Sequence, residues 1–217
     1  NPPLLRKGSV PAAGGNALAV ESNYVYTTGP LGGNPTGLMV FNVGKPTAPT
    51  VAATLPLQLA NVGARSISAS ASLLYLVDAG YNPPLHVVDI SNPLSPKAIA
   101  KIEGNSGNGE FFKQVIGRNN YAFVLGLPEF LGGFGGNYIS SGLIVFDALK
   151  PNAEPVGAGV KAKLTAMELH GNFVYAIASK DATLQTTSGI QVFDVSNVAA
   201  PKAGDFVRLA YSGEGTP

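Results

Sequence analysis

The sequence predicts an all-β chain made of four repeats of one four-stranded unit. Three observations carry that prediction. A strand-ending motif recurs four times, as GLMVFNVGKPTAP (37–49), PLHVVDISNPLSP (84–96), GLIVFDALKPNAEP (142–155) and GIQVFDVSNVAAP (189–201). A strand–turn–strand element precedes each copy, and its anchors Tyr24, Leu73, Tyr121 and Phe173 are 49, 48 and 52 residues apart. The chain is rich in Gly (27) and Pro (17) and only 12% charged, about half the usual share of ~25%; this favours many turns over long helices. Four-stranded units at this period are the signature of β-propeller blades.

Each unit opens with two strands around a polar turn: ALAVESNYVYTTG from Ala17, SISASASLLYLVDAG from Ser66, FKQVIGRNNYAFVLG from Phe112 and AMELHGNFVYAIASK from Ala166. The turns fall at 21–23, 70–72, 117–120 and 170–172, and such Gly/Asn/Ser links between β-rich runs read as hairpins. The third strand is the apolar run of the recurring motif. A more polar fourth strand follows it: TVAATLPL from Thr50, KAIAKIEG from Lys97, VGAGVKAK from Val156 and KAGDFVRL from Lys202. These alternate weakly and read as edge strands. The stretch VKAKLTAMEL (160–169) has helix-forming composition, but the repeat phasing assigns it to a last strand, a link and the next first strand. The repeats run at about 15–60, 61–106, 107–162 and 163–210 within a single propeller domain or propeller segment, 1–217.

The motif ends its strand in Asn42, Asp89, Asp147 or Asp194. An Asx side chain there accepts hydrogen bonds from backbone N–H groups two or three residues on. The following Pro fixes φ and has no N–H to extend the ladder. Asn42 performs this cap without a charge, which favours a structural role over a ring of carboxylates binding a cation. Such a ring needs the acids to converge, whereas repeat symmetry places each on its own blade.

These strands, GLIVFDALKP, LHVVDISNP and GIQVFDVSN above all, resemble the LVIVD repeat of bacterial and archaeal surface or exported proteins. The resemblance covers four units, from Ala17 to about Val207, and its last-strand portion also matches NPPLLRKGSV at the N-terminus. It implies a propeller fold and an extracellular, cell-surface or periplasmic location, and brings no catalytic residues. Two copies depart from the pattern: Asn42 replaces the acid and Val198 replaces the first Pro.

The remaining composition narrows the function. With a net charge of +1 and no block of like charges, nucleic acid and anionic membrane are not expected partners. There is no Cys, so disulfides and thiolate metal sites are excluded. No apolar run approaches the ~20 residues that span a bilayer. The N-terminus lacks the apolar core of a signal peptide and reads as a processed end or a cut inside a longer chain. His86, His170 and Glu168 could form a metal site, but the two histidines occupy different strand positions in different repeats. No Gly-x-Ser-x-Gly elbow occurs, and GNSGNGE (104–110) lacks the Lys of a phosphate loop. No cofactor and no catalytic residue is expected.

The strongest irregularity is GLPEFLGGFGGNYISS (126–141). It lengthens the third unit, since Phe41, Val88, Phe146 and Phe193 are spaced 47, 58 and 47. The insertion carries Phe130, Leu131, Phe134 and Tyr138 among five glycines. Insertions in repeat proteins map to one face, often the binding face. These four residues are the candidate interaction loop, suited to protein or glycan. Links between second and third strands are expected to share that face.

The strand count does not close. There are five last-strand segments, counting an extra N-terminal outer strand in NPPLLRKGSV, and four sets of the preceding three. Either the chain is a piece of a larger propeller, or four blades form an open or small closed unit whose spare strand pairs elsewhere. Further blades or sister chains are then partners through exposed edge strands. The favoured function is a non-catalytic scaffold of an exported or cell-surface prokaryotic protein. The alternatives are a propeller hydrolase or lyase with a central-channel site, and a structural subunit of a filament or surface layer. Three convergent ionisable groups in the channel would select the enzyme; extensive edge-to-edge contacts would select the filament.

Overall fold

The structure, a computed structural model, describes residues 9, 15–32, 36–59, 63–79, 84–102, 111–127, 129–130, 138–139, 142–150, 156–161, 163–179 and 188–209. The first sheet holds β1 (Leu18–Glu21), β2 (Tyr24–Pro30), β3 (Thr36–Asn42) and β4 (Thr50–Pro56) in that spatial order. The second repeats it with β5 (Ala64–Ser70), β6 (Leu73–Asp78), β7 (Leu85–Asp89) and β8 (Lys97–Ile102). The third contains β9 (Phe111–Arg118) and β10 (Tyr121–Leu127). A two-stranded ribbon, β11 (Glu129–Phe130) with β12 (Tyr138–Ile139), then precedes β13 (Gly142–Asp147) and β14 (Gly157–Lys161). The fourth is β15 (Lys163–His170), β16 (Phe173–Ser179), β17 (Ser188–Asp194) and β18 (Lys202–Arg208). All pairings are antiparallel. The four expected units are present, and 160–169 is strand on both sides of one link. The expected N-terminal outer strand lies outside the described residues.

The opening hairpins are tighter than the sequence reading placed them. Gly117 and Arg118 remain in β9, with Arg118 opposite Tyr121, and His170 pairs with Phe173 at the end of β15. Each turn is therefore two residues long. Ser22, Ala71, Ser72, Asn119 and Gly171 take φ between 51° and 65°. Positive φ at the first turn residue is what a two-residue hairpin requires if its twist is to match its strands.

Every second side chain of a strand points to one face of its sheet, and both faces are apolar. Hence each sheet packs on the next. One core joins Tyr26, Leu38 and Val40 of the first sheet to Leu74, Leu76 and Val88 of the second. Another joins Tyr75, Leu85 and Val87 to Val115, Val124, Ile144 and Phe146. A third joins Phe123, Leu143 and Val145 to Met167, Val174, Ala176 and Phe193. At about 1.5–3 kcal/mol per fully buried large side chain, these junctions dominate the stability of the fold. The outer strands β4, β8 and β18 are largely exposed. Among the described residues, extensive packing links only sheets that are consecutive in the chain; none joins the fourth sheet to the first. Among the described residues, the blades form an arc.

Candidate functional site

The strand-ending motif is a structural clasp. The side-chain oxygens of Asn42, Asp89, Asp147 and Asp194 accept from the N–H of Gly44, Ser91, Leu149 and Ser196 at 2.9, 2.8, 3.1 and 2.9 Å. In each repeat the next residue ties the strand end to its own hairpin. Val43, Ile90, Ala148 and Val195 donate to the carbonyls of Asn23, Ser72, Asn120 and Asn172 at 2.8–2.9 Å. Hydrogen bonds from the Ser91 hydroxyl and N–H hold Asp89 below the usual carboxylate range, and those from Ser196 do the same for Asp194. Asp147 instead accepts from Asn120 Nδ2 at 3.0 Å and faces Lys150 at 3.6 Å. The acids serve their own turns.

Polar contacts between sheets set the orientation of the loops. Ser66 Oγ accepts from Val115 N–H at 3.1 Å, Ser68 Oγ from Gly117 N–H at 3.0 Å and Ser70 Oγ from Asn119 N–H at 3.1 Å. Both numbers rise together along this ladder, so β5 and β9 run side by side in the same direction. Gln114 spans the next junction, donating to Met167 O and accepting from Met167 N–H, each at 2.8 Å. At the far end of that junction Arg118 donates to Gly171 O and Val195 O at 2.8 Å, with its guanidinium 4.9 Å from the Phe123 ring centroid. On the first sheet, Glu21 Oε1 accepts from Ser72 N–H at 3.3 Å. Glu21, Ser70 and Arg118 are equivalent residues, the last of each first strand, and each reaches the next sheet's hairpin. The alternating serines of SISAS (66–70) are the sequence signal of this ladder.

With first strands running in one direction, hairpin turns and strand-ending motifs share one face of the arc. The second strands end, and the third strands begin, on the other. The ribbon β11–β12 lies in the link between β10 and β13. Phe130 pairs with Tyr138 across this ribbon, which brings two of the four candidate loop residues together on adjacent backbones. Leu131 and Phe134 lie outside the described residues.

The structure does not assemble the histidine-based metal site. His86 is buried on β7 of the second sheet, whereas His170 and Glu168 are exposed on β15 of the fourth. Among the described residues, no group of three or more His, Cys, Asp and Glu is placed to hold a metal ion. An open depression of about 460 Å³ at the rim of the first junction is lined by Pro56, Leu57, Gln58, His86 and 98–101. Its titratable side chains are His86 and Lys101, cross-strand neighbours on β7 and β8. Among the described residues no helix is long and apolar enough to cross a membrane.

No family model and no curated protein matches the sequence. Solved structures do match in fold. The computationally designed Ika4 protein is similar at TM-score 0.54 and 12% identity over 85% of this chain and 92% of its own. Hsv2 of Kluyveromyces lactis is similar at 0.56 and 12% identity, over 94% of this chain and 60% of its own. The WD40 domain of Toxoplasma gondii coronin is similar at 0.54 and 14% identity, over 92% of this chain and 45% of its own. The chain thus spans about half the length of these natural propeller chains. At such identities the likeness concerns fold alone, and with the four sheets described above it makes the architecture a β-propeller.

Proposed function

We propose that this chain is a non-catalytic propeller scaffold that presents its link face to a protein or glycan partner. The observation that supports this most is the ribbon β11–β12, the one extra element that breaks the repeat among the described residues. Junction packing and clasps account for the repeated strands and their ends. Aromatic anchors on a rigid scaffold are the usual carriers of binding energy. The LVIVD resemblance of the four strand-ending motifs extends the proposal to an exported or surface-associated prokaryotic protein.

A glycan array and a displayed-peptide library, probed with the whole chain and with the double variant Phe130→Ser/Tyr138→Ser, test the reading. A glycan or peptide bound by the chain and at least about tenfold more weakly by the variant, as loss of an aromatic anchor entails, supports it. No binder of either class, or binding indifferent to the substitutions, overturns it.

A further inference from the structure

Among the described residues, no sheet packs on the outward face of the fourth sheet. Strand register makes Tyr26, Tyr75, Phe123 and Tyr175 equivalent, each in the second strand and opposite Val40, Val87, Val145 and Val192. The first three are 1%, 0% and 0% exposed because the following sheet covers them, whereas Tyr175 is 40% exposed. Thr28, Val77 and Leu125 are fully buried, and their equivalent Ile177 is 47% exposed. Phe173 extends the same row. At the other end of the arc, Leu18 and Val20 on β1 are 64% and 58% exposed. The counterparts of Leu18 on later first strands, Val115 and Met167, are buried against the preceding sheet and Ile67 is half-buried, as are the counterparts of Val20, namely Ala69, Gly117 and Leu169.

We propose that the open face of the fourth sheet docks the first sheet of a second copy of this chain, head to tail, in the register of the internal junctions. The occupant is argued from those junctions. Opposite the aromatic ring, the following sheet's first strand carries Ala69, Gly117 or Leu169; a Cβ on Gly117 would run into the Tyr75 ring. Val20, the equivalent residue on β1, falls within that size range and stands ready for Tyr175. His170 occupies the place of Glu21, Ser70 and Arg118, so it would face the copy's hairpin at Ser22 and Asn23. Met39 and Phe41, on the same side of the first sheet, are already covered at 7% and 5% exposure. The docking therefore engages the inner-strand part of that face. The contact joins two different surfaces, so it closes into a ring or continues as a chain, according to the arc's angle.

Sedimentation of the whole chain over a wide concentration range tests this, with Tyr175→Asp breaking the tail and Leu18→Asp breaking the head. Both residues are exposed, and unchanged circular dichroism confirms that each variant is folded. The expected result is reversible association of the parent chain, a mass of one chain for either variant alone, and association restored on mixing the two variants. The mixture retains one intact head and one intact tail. A parent chain that stays monomeric throughout overturns the proposal. So does association that survives Leu18→Asp, which would mean tail-to-tail pairing. These outcomes are independent of whether the ribbon binds a ligand.

Discussion

Tyr75 and Tyr175 sit at the same place in the same repeat, one in the second sheet and one in the fourth. Tyr75 is fully buried, its hydroxyl donates to Asn119 O at 2.6 Å, and burial, then the charge of Asp147, pushes its phenol pKa up. Tyr175 is 40% exposed. Nothing within their own strands explains the difference, because both alternate in the same register against a valine. The next sheet supplies it. In this fold the stabilising unit is the junction between blades, and the fourth sheet, with no described sheet packed on it, keeps its apolar face open.

The two regions can be broken separately. The largest effect is expected from Tyr75→Ala, which empties a fully buried core position and should cost about 3–5 kcal/mol in urea unfolding. Gly117→Val attacks the same junction from the other side by forcing a side chain against the Tyr75 ring. Overpacking of this kind costs about 1–3 kcal/mol, read as a lower unfolding midpoint. Ser68→Ala removes one rung of the ladder to β9 and leaves the Gly117 N–H without its side-chain acceptor. A loss of about 1 kcal/mol is expected. The smallest effect is expected from Asp89→Asn, since Asn42 already makes the same cap at 2.9 Å. At neutral pH the change should cost a few tenths of a kcal/mol, the scale of conservative cap substitutions.

That last variant also carries a pH signature. The Asp89 carboxylate is held below its ordinary pKa by Ser91. Its contribution is therefore complete above the unfolded value of about 3.9 and lost as pH falls through the folded value. The stability gap between parent and Asp89→Asn should narrow on acidification, measured as urea midpoints at neutral and acid pH.

Repetition is what made the fold legible. Four copies of one motif fixed the strand phasing well enough to override the helix-forming composition of 160–169. The cap geometry of Asn42, Asp89, Asp147 and Asp194 followed from Asx chemistry alone. The hairpin lengths were less legible, because Gly117 and Arg118 resemble turn residues. They are held in β9 by contacts with neighbouring sheets that a single repeat does not reveal. The same limit hid Arg118, Gln114 and the serine ladder, whose partners lie about one repeat away. The ribbon was visible only as excess length. That Phe130 and Tyr138 pair across it depends on backbone geometry within a glycine-rich segment, where side-chain alternation gives no guide. The open face was hidden for the opposite reason: Tyr175 and Ile177 look as buried as their equivalents, and only the missing neighbour exposes them.

The most direct test sets Tyr175→Ala beside Tyr75→Ala in equilibrium urea unfolding, at a concentration where the chain is monomeric. With junctions as the stabilising units, Tyr75→Ala loses about 3–5 kcal/mol and Tyr175→Ala less than about 1 kcal/mol. Equal losses at the two positions would contradict it, because they would place the stabilisation within each blade and leave the arc's open end without meaning.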